Sequence, residues 1–177
     1  MKKVVTTLFT LSLTIALVLS GCGGKNYAEP DANGNFIING SFEDSDEFAP
    51  WIIFNEITEE VNLYTRETDA RTGSHSLHFW SPGDVYFTAE QDINRLEDGE
   101  YVLTVFMQGE APAQEIFLFA ESGGKRFEVA GELSGYLNWN NASVNVTVSG
   151  GSIKVGLVVK TGSGGWGTFD DFTLVKK

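Results

Sequence analysis

From residue 36 onward the apolar residues of this chain come in short runs, each closed by glycine, asparagine, aspartate, serine or proline. No stretch sustains the i, i+3, i+4, i+7 repeat that gives a helix its buried stripe. The segment 101–108 shows the alternative: Tyr101, Leu103, Val105 and Met107 fall on one side, and Val102, Thr104, Phe106 and Gln108 on the other. That period of two is the signature of a strand with one buried face. Further strands are predicted at 36–38, 51–54, 61–65, 76–80, 85–91, 116–120, 126–129, 144–148, 153–159 and 169–175. Asp98-Gly99, Ser122-Gly123-Gly124 and Ser149-Gly150-Gly151 read as turns, the last two as hairpins. Short strands at intervals of roughly 8 to 12 residues, with no fixed longer repeat, predict an all-β sandwich.

The N-terminus is organised differently. Met1-Lys2-Lys3 is a short basic start, and 8–19 is apolar apart from Thr10, Ser12 and Thr14. This is shorter than the roughly 20 apolar residues of a membrane span and has the layout of a signal peptide. Leu17-Val18-Leu19-Ser20-Gly21-Cys22 resembles the lipobox of bacterial lipoproteins. The resemblance implies that Cys22 is lipidated, becomes the mature N-terminus and anchors the protein outside the cytoplasm, on the cell membrane or outer membrane. The predicted organisation is a signal peptide over 1–21, a flexible polar tether over 22–35 and one folded domain over 36–177. Cys22 is the single cysteine, which excludes an internal disulfide. A net charge of −12 repels phosphate backbones and argues against nucleic acid as a partner.

Four blocks carry a family resemblance. Ile38-Asn39-Gly40-Ser41-Phe42-Glu43-Asp44, followed by Trp51, is similar to the opening of many jelly-roll carbohydrate-binding modules. Arg71-Thr72-Gly73-Ser74-His75-Ser76-Leu77 resembles a second block of theirs, and Gln91-Asp92-Ile93 with Leu96-Glu97-Asp98-Gly99-Glu100-Tyr101 a third. Trp166-Gly167-Thr168-Phe169-Asp170-Asp171-Phe172-Thr173-Leu174 resembles the closing strand. Together they imply the galactose-binding-like jelly-roll β-sandwich. Family 61, whose members bind β-1,4-galactan, is the best match, with families 4 and 22 as rivals. The implied role is non-catalytic polysaccharide binding by a monomer. A structural or partner-binding sandwich, and a small glycoside hydrolase, stand as alternatives.

A sugar ring offers an apolar face of C–H groups and an equator of hydroxyls, so a binding site needs aromatic plates and a few oriented polar groups. Trp51, in an apolar run, is expected in the core. Trp166, set among Gly164, Gly165 and Gly167, is the first candidate plate, followed by Trp139 among asparagines and Trp80 before Ser81-Pro82-Gly83. Phe106, Gln108 and Arg71 complete the expected carbohydrate contacts, with the core remaining open as an alternative for each aromatic. His75 and His78, three apart on an extended segment, fall on opposite faces and form no metal pair. By resemblance, Glu43 and one of Asp170 and Asp171 would hold a structural Ca²⁺, with backbone carbonyls of Ser41 and Gly73. Asp170 shares strand parity with Phe172 and Leu174 and is expected to point into the core. The sequence shows no nucleophile elbow, zinc motif or phosphate loop. Glu90 and Glu115 are conceivable as a carboxylate pair, although nothing singles them out.

Overall fold

Tyr101, Leu103, Val105 and Met107 are completely buried, as their alternation predicts. They belong to β4 (Gly99–Glu110), a central strand of the four-stranded sheet. The structure is a computed structural model that describes residues 26–44, 48–56 and 69–177. The predicted signal peptide over 1–21, Cys22 and the strand predicted at 61–65 lie outside the described residues.

Among the described residues the remaining strands are β1 (Ile52–Asn55), β2 (Leu77–Trp80), β3 (Val85–Asn94), β5 (Glu115–Ser122), β6 (Lys125–Gly131), β7 (Gly135–Val148), β8 (Ser152–Thr161) and β9 (Trp166–Lys176). They form two antiparallel sheets in the orders β1-β3-β8-β5-β6 and β2-β9-β4-β7. The sandwich predicted from the pattern is the fold observed. Phe79 and Phe169 from the smaller sheet stack at 6.0 Å, and Phe79 meets Phe87 of the larger sheet edge-on at 5.7 Å. Phe42, Trp51 and Phe172 plug one side of the core, with Trp51 and Phe172 ring centres 4.7 Å apart. The Trp51 Nε1–H donates to the Asn39 carbonyl at 3.0 Å, so its one polar atom is satisfied on burial.

Three expectations need correction. Residues 36–38 form no strand. Asn35 makes an isolated bridge to Val175, and the Phe36 N–H donates to the Leu174 carbonyl at 3.0 Å. Residues 26–35, read as part of a loose tether, are docked instead. The Ala28 N–H donates to the Arg95 carbonyl at 2.7 Å, and Ala28 and Phe36 pack on the core. The Gly150-Gly151 turn is as tight as expected, with Ser149 bridged to Ser152, yet it joins no hairpin. β7 pairs with β4 and β8 with β3 and β5, so this turn passes the chain from one sheet to the other. Gly123-Gly124 does close a true hairpin, both residues at positive φ between the paired Ser122 and Lys125.

Candidate functional site

Partners across a strand pair share a face of the sheet. Leu77, paired with Phe169, and Phe79, paired with Gly167, point into the core. His78 with Thr168 and Trp80 with Trp166 therefore lie on the outer face. On β4 the same face carries Phe106, Gln108 and Glu110, and Glu110 pairs with Trp166. On β7 it carries Asn141, paired with Phe106, while Trp139 falls in the irregular stretch between the paired Asn140 and Gly135. The dispersed candidates Trp80, Trp166, Phe106 and Gln108 thus converge on one face of the smaller sheet.

Trp80 is 45% exposed, while Trp166 and Trp139 are half-buried. Tyr136, which sequence reading missed, is 56% exposed, and its ring centre lies 6.1 Å from that of Trp166. Beneath Trp166 the buried His78 imidazole stacks at 6.4 Å and 21°. The His78 Nδ1 sits 3.1 Å from the Thr168 hydroxyl, so the support is itself anchored. The result is an indole plate with a phenol beside it and a second indole on the next strand. Gly135-Tyr136-Leu137-Asn138-Trp139, an aromatic and amide run beginning with glycine, held the signal for Tyr136 in the sequence.

Of the glycines around Trp166, Gly165 and Gly167 serve packing, while Gly164 at φ 81° stands in open space. A Cβ on Gly167 would stand 2.5 Å from the Phe79 ring, and one on Gly165 2.7 Å from the Thr161 hydroxyl. Gly109, at φ 143°, faces Gly167 across the pair, and a Cβ there would run into the Trp166 carbonyl.

Gln108 does not offer its amide to solvent, which corrects its expected role. It is fully buried. Its Oε1 accepts the Leu137 N–H at 2.6 Å, and its Nε2 donates to the Asp69 carbonyl at 3.4 Å. Leu137 has φ 58°, an uncommon conformation for a residue with a side chain. Gln108 is thus the strut that holds the irregular start of β7 from Tyr136 to Trp139. Arg71 does reach the surface. Its guanidinium lies 3.5 Å over the Phe106 ring and donates to Asp171 Oδ2 at 2.6 Å. One face of Phe106 is therefore occupied by Arg71.

The acidic candidates meet the loop at 71–75. Glu43 Oε1 accepts the N–H groups of Ser74 at 2.7 Å and His75 at 2.6 Å. Burial pushes Glu43 up, but those donors outweigh it and hold its pKa below the usual value. Asp170 Oδ2 accepts the N–H groups of Arg71 at 2.7 Å and Thr72 at 3.1 Å. Asp170 does not share a face with Phe172, contrary to the parity argument. The register of β4 against β9 slips between Thr104 and Phe106, and Asp171 sits at φ 51°. The bulge inserts one residue and turns Asp170 to the outer face, where the 71–72 backbone covers it completely. Burial, helped by the Asp171 charge and opposed by the backbone donors, pushes the Asp170 carboxyl up to about 7. Burial raises Asp171 as well, but hydrogen bonds from Thr72, Ser41 and Arg71 hold its pKa below the usual value.

The donors suit a hard cation in part. Glu43 lies against Gly73, where a Cβ would collide with its carboxylate, and Asp170 is a buried carboxylate short of countercharge. Asp171 and the Ser41 hydroxyl are engaged with each other at 2.8 Å. Among the described residues no three carboxylate, imidazole or thiol side chains converge as a metal centre. Glu43 and Asp170 with backbone carbonyls are the set that remains.

Comparison with known proteins places the fold. The chain is similar to TmCBM61, solved with β-1,4-galactotriose, at 29% identity over 81% of this chain and 99% of that one, with a TM-score of 0.72. The sandwich is of the carbohydrate-binding-module type. Two further modules share the fold alone. One is a CBM4 at 15% identity, covering 80% and 99% of the two chains with a TM-score of 0.59. The other is the C-terminal family 22 module of Clostridium thermocellum Xyn10B, at 18% identity, 83% and 97% coverage and a TM-score of 0.57. No protein-family model and no curated protein sequence matches the chain. The resemblance to family 61, with families 4 and 22 beside it, stands.

Proposed function

We propose that this module binds β-1,4-galactan through the aromatic face of its smaller sheet, without cleaving it, as a lipid-anchored protein of the bacterial cell surface. The observation that carries the reading is the gathering of Trp80, Trp166 and Tyr136 on one face, with Trp80 and Tyr136 broadly open to solvent. A β-galactosyl ring has its O4 axial, which leaves a patch of C–H groups on the opposite face. Such a patch stacks on an indole, and nearby polar groups such as Arg71, Asn141 and Glu110 are placed to meet the hydroxyls. The choice of galactan is supported by the likeness to the galactotriose-binding module. Lipid anchoring is supported by the lipobox at Cys22.

Glu90 and Glu115 do not make a hydrolytic pair. They are partnered across β8 with Gly156 and Lys160, four residues or roughly 13 Å apart along the strand, beyond the separation glycosidases use. Glu90 also accepts from Lys154 Nζ at 2.6 Å, and both sit on the sheet opposite the aromatic face. Calcium is the second part of the proposal: Glu43 and Asp170, with the Ser41 and Gly73 carbonyls, would hold the ion and tie the 71–75 loop to β9.

Affinity gels containing galactan, xylan and β-glucan test the reading. Galactan should retard the protein, and no reducing sugar should accumulate on long incubation. Trp166→Ala should cost on the order of 2 kcal/mol of binding, about thirtyfold in affinity. Unchanged galactan affinity in that variant would place the site elsewhere.

A further inference from the structure

The first described residues are fastened to one pole of the sandwich. Beyond the Ala28 bond to Arg95, the Asn35 side chain accepts the Leu174 N–H at 2.8 Å and donates to the Phe172 carbonyl at 3.1 Å. Asn26 and Tyr27 border an open groove of about 910 Å³ whose other wall is the 94–98 loop and the Gly150-Gly151 turn. This pole therefore lies at the start of β4 and the end of β9, where Tyr101 pairs with Lys176. The aromatic face lies at the opposite pole, where Trp166 opens β9 and pairs with Glu110 at the end of β4. Nine residue steps separate Tyr101 from Glu110 along β4, roughly 30 Å at strand spacing.

We infer that the anchored protein stands on its membrane with the Tyr27 pole at the surface and the aromatic face turned away from it. This rests on the anchoring proposed above. From Cys22 to Asn26 the chain has four Cα steps, at most about 14 Å when fully extended. With 26–35 docked, nothing further can pay out without breaking the contacts to Arg95, Phe172 and Leu174. The pole is tethered rather than adhesive. Around it Glu29, Glu97, Asp98 and Glu100 balance Arg95, Lys176 and Lys177, with Lys25 in the linker, so no positive excess holds it to anionic lipids. The occupant of that side is the bilayer to which the chain is covalently tied, and a polysaccharide outside the cell meets the far pole first.

The test uses the full-length lipidated protein in phosphatidylcholine vesicles carrying a headgroup quencher. Cys22 is the single natural cysteine, so Lys177→Cys and Ser163→Cys each give one free thiol for a fluorophore, near and far from the docked segment. Flotation with the vesicles reads the anchor. A protein that does not float removes both the anchoring and the orientation. For a floating protein, quenching several-fold stronger at 177 than at 163 is expected. Equal quenching, or stronger quenching at 163, overturns the orientation and leaves the anchor standing. Inserting about twenty Gly and Ser residues after Gly24 should erase the difference, because a flexible linker of that length lets the domain tumble. A difference that survives the insertion assigns the orientation to adhesion of the domain and overturns the tether mechanism.

Discussion

Gln108 Oε1 and Nε2 reach opposite ways from β4, one to the Leu137 N–H and the other to the Asp69 carbonyl. Removing this amide takes its hydrogen bonds from the part-buried Leu137 N–H and the Asp69 carbonyl, which costs about 1–3 kcal/mol. Gln108→Ala should lower the melting temperature by several degrees and weaken galactan binding. The quenching of tryptophan fluorescence by galactan should also fall, because Tyr136 would lose its fixed place beside Trp166. Titration calorimetry with folded variant would check this; affinity equal to wild type would make Gln108 a core residue only. Asp170 is the other buried polar residue with a definite expectation. Both of its oxygens accept N–H groups, the Asp171 N–H at Oδ1 included at 2.6 Å. In Asp170→Asn the amide must oppose one of these donors, again at a cost of about 1–3 kcal/mol. With calcium chelated, wild type has a further pH dependence. The folded carboxyl binds its proton more tightly than the unfolded one, at about 7 against 3.8. Its stabilising contribution is complete below pH 3.8 and lost as pH rises through 7. The gap in melting temperature between wild type and Asp170→Asn should therefore narrow from pH 5 to pH 8, and a constant gap would contradict the raised value.

At the scale of elements, β4 and β9 cross closely where Gly109 faces Gly167, and this contact sets the height of Trp166 on the sheet. Gly109→Ala places a methyl group against the Trp166 backbone at a positive φ, so a loss of about 1–3 kcal/mol is expected, with galactan affinity falling as well. Thermal melts and affinity gels on the same preparation check both. The alternation of β4 and the Gly123-Gly124 hairpin were legible because a strand face and a two-residue turn are local properties. The change of sheets at Gly150-Gly151 was not, since the same tight turn serves a hairpin or a crossover and only long-range pairing decides. The bulge at Asp171 escaped for a related reason. One inserted residue reverses parity, and nothing in Asp170-Asp171-Phe172 marks which residue is extra. The tryptophans were legible as candidates, but the common face of Trp80 and Trp166 depended on the pairing of β2 with β9, which is a property of the fold.

For the molecule as a whole, the proposed binding of galactan predicts that the excess of negative charge disfavours acidic polysaccharides. Net charge is −12, and Glu110 stands beside Trp166 on the aromatic face. A neutral galactan chain loses nothing by approaching such a surface, whereas a chain bearing a carboxylate on each ring meets repulsion over a Debye length of about 10 Å at 0.1 M salt. Stacking and hydrogen bonds carry no net charge, so galactan affinity should change less than about twofold between 20 mM and 500 mM salt. A polygalacturonate of similar length should not be retained at low salt, and its weak binding should grow as salt screens the repulsion. Retention of the uronate polymer at low salt would mean that a basic surface, and not the indole and phenol rings of the smaller sheet, captures the glycan.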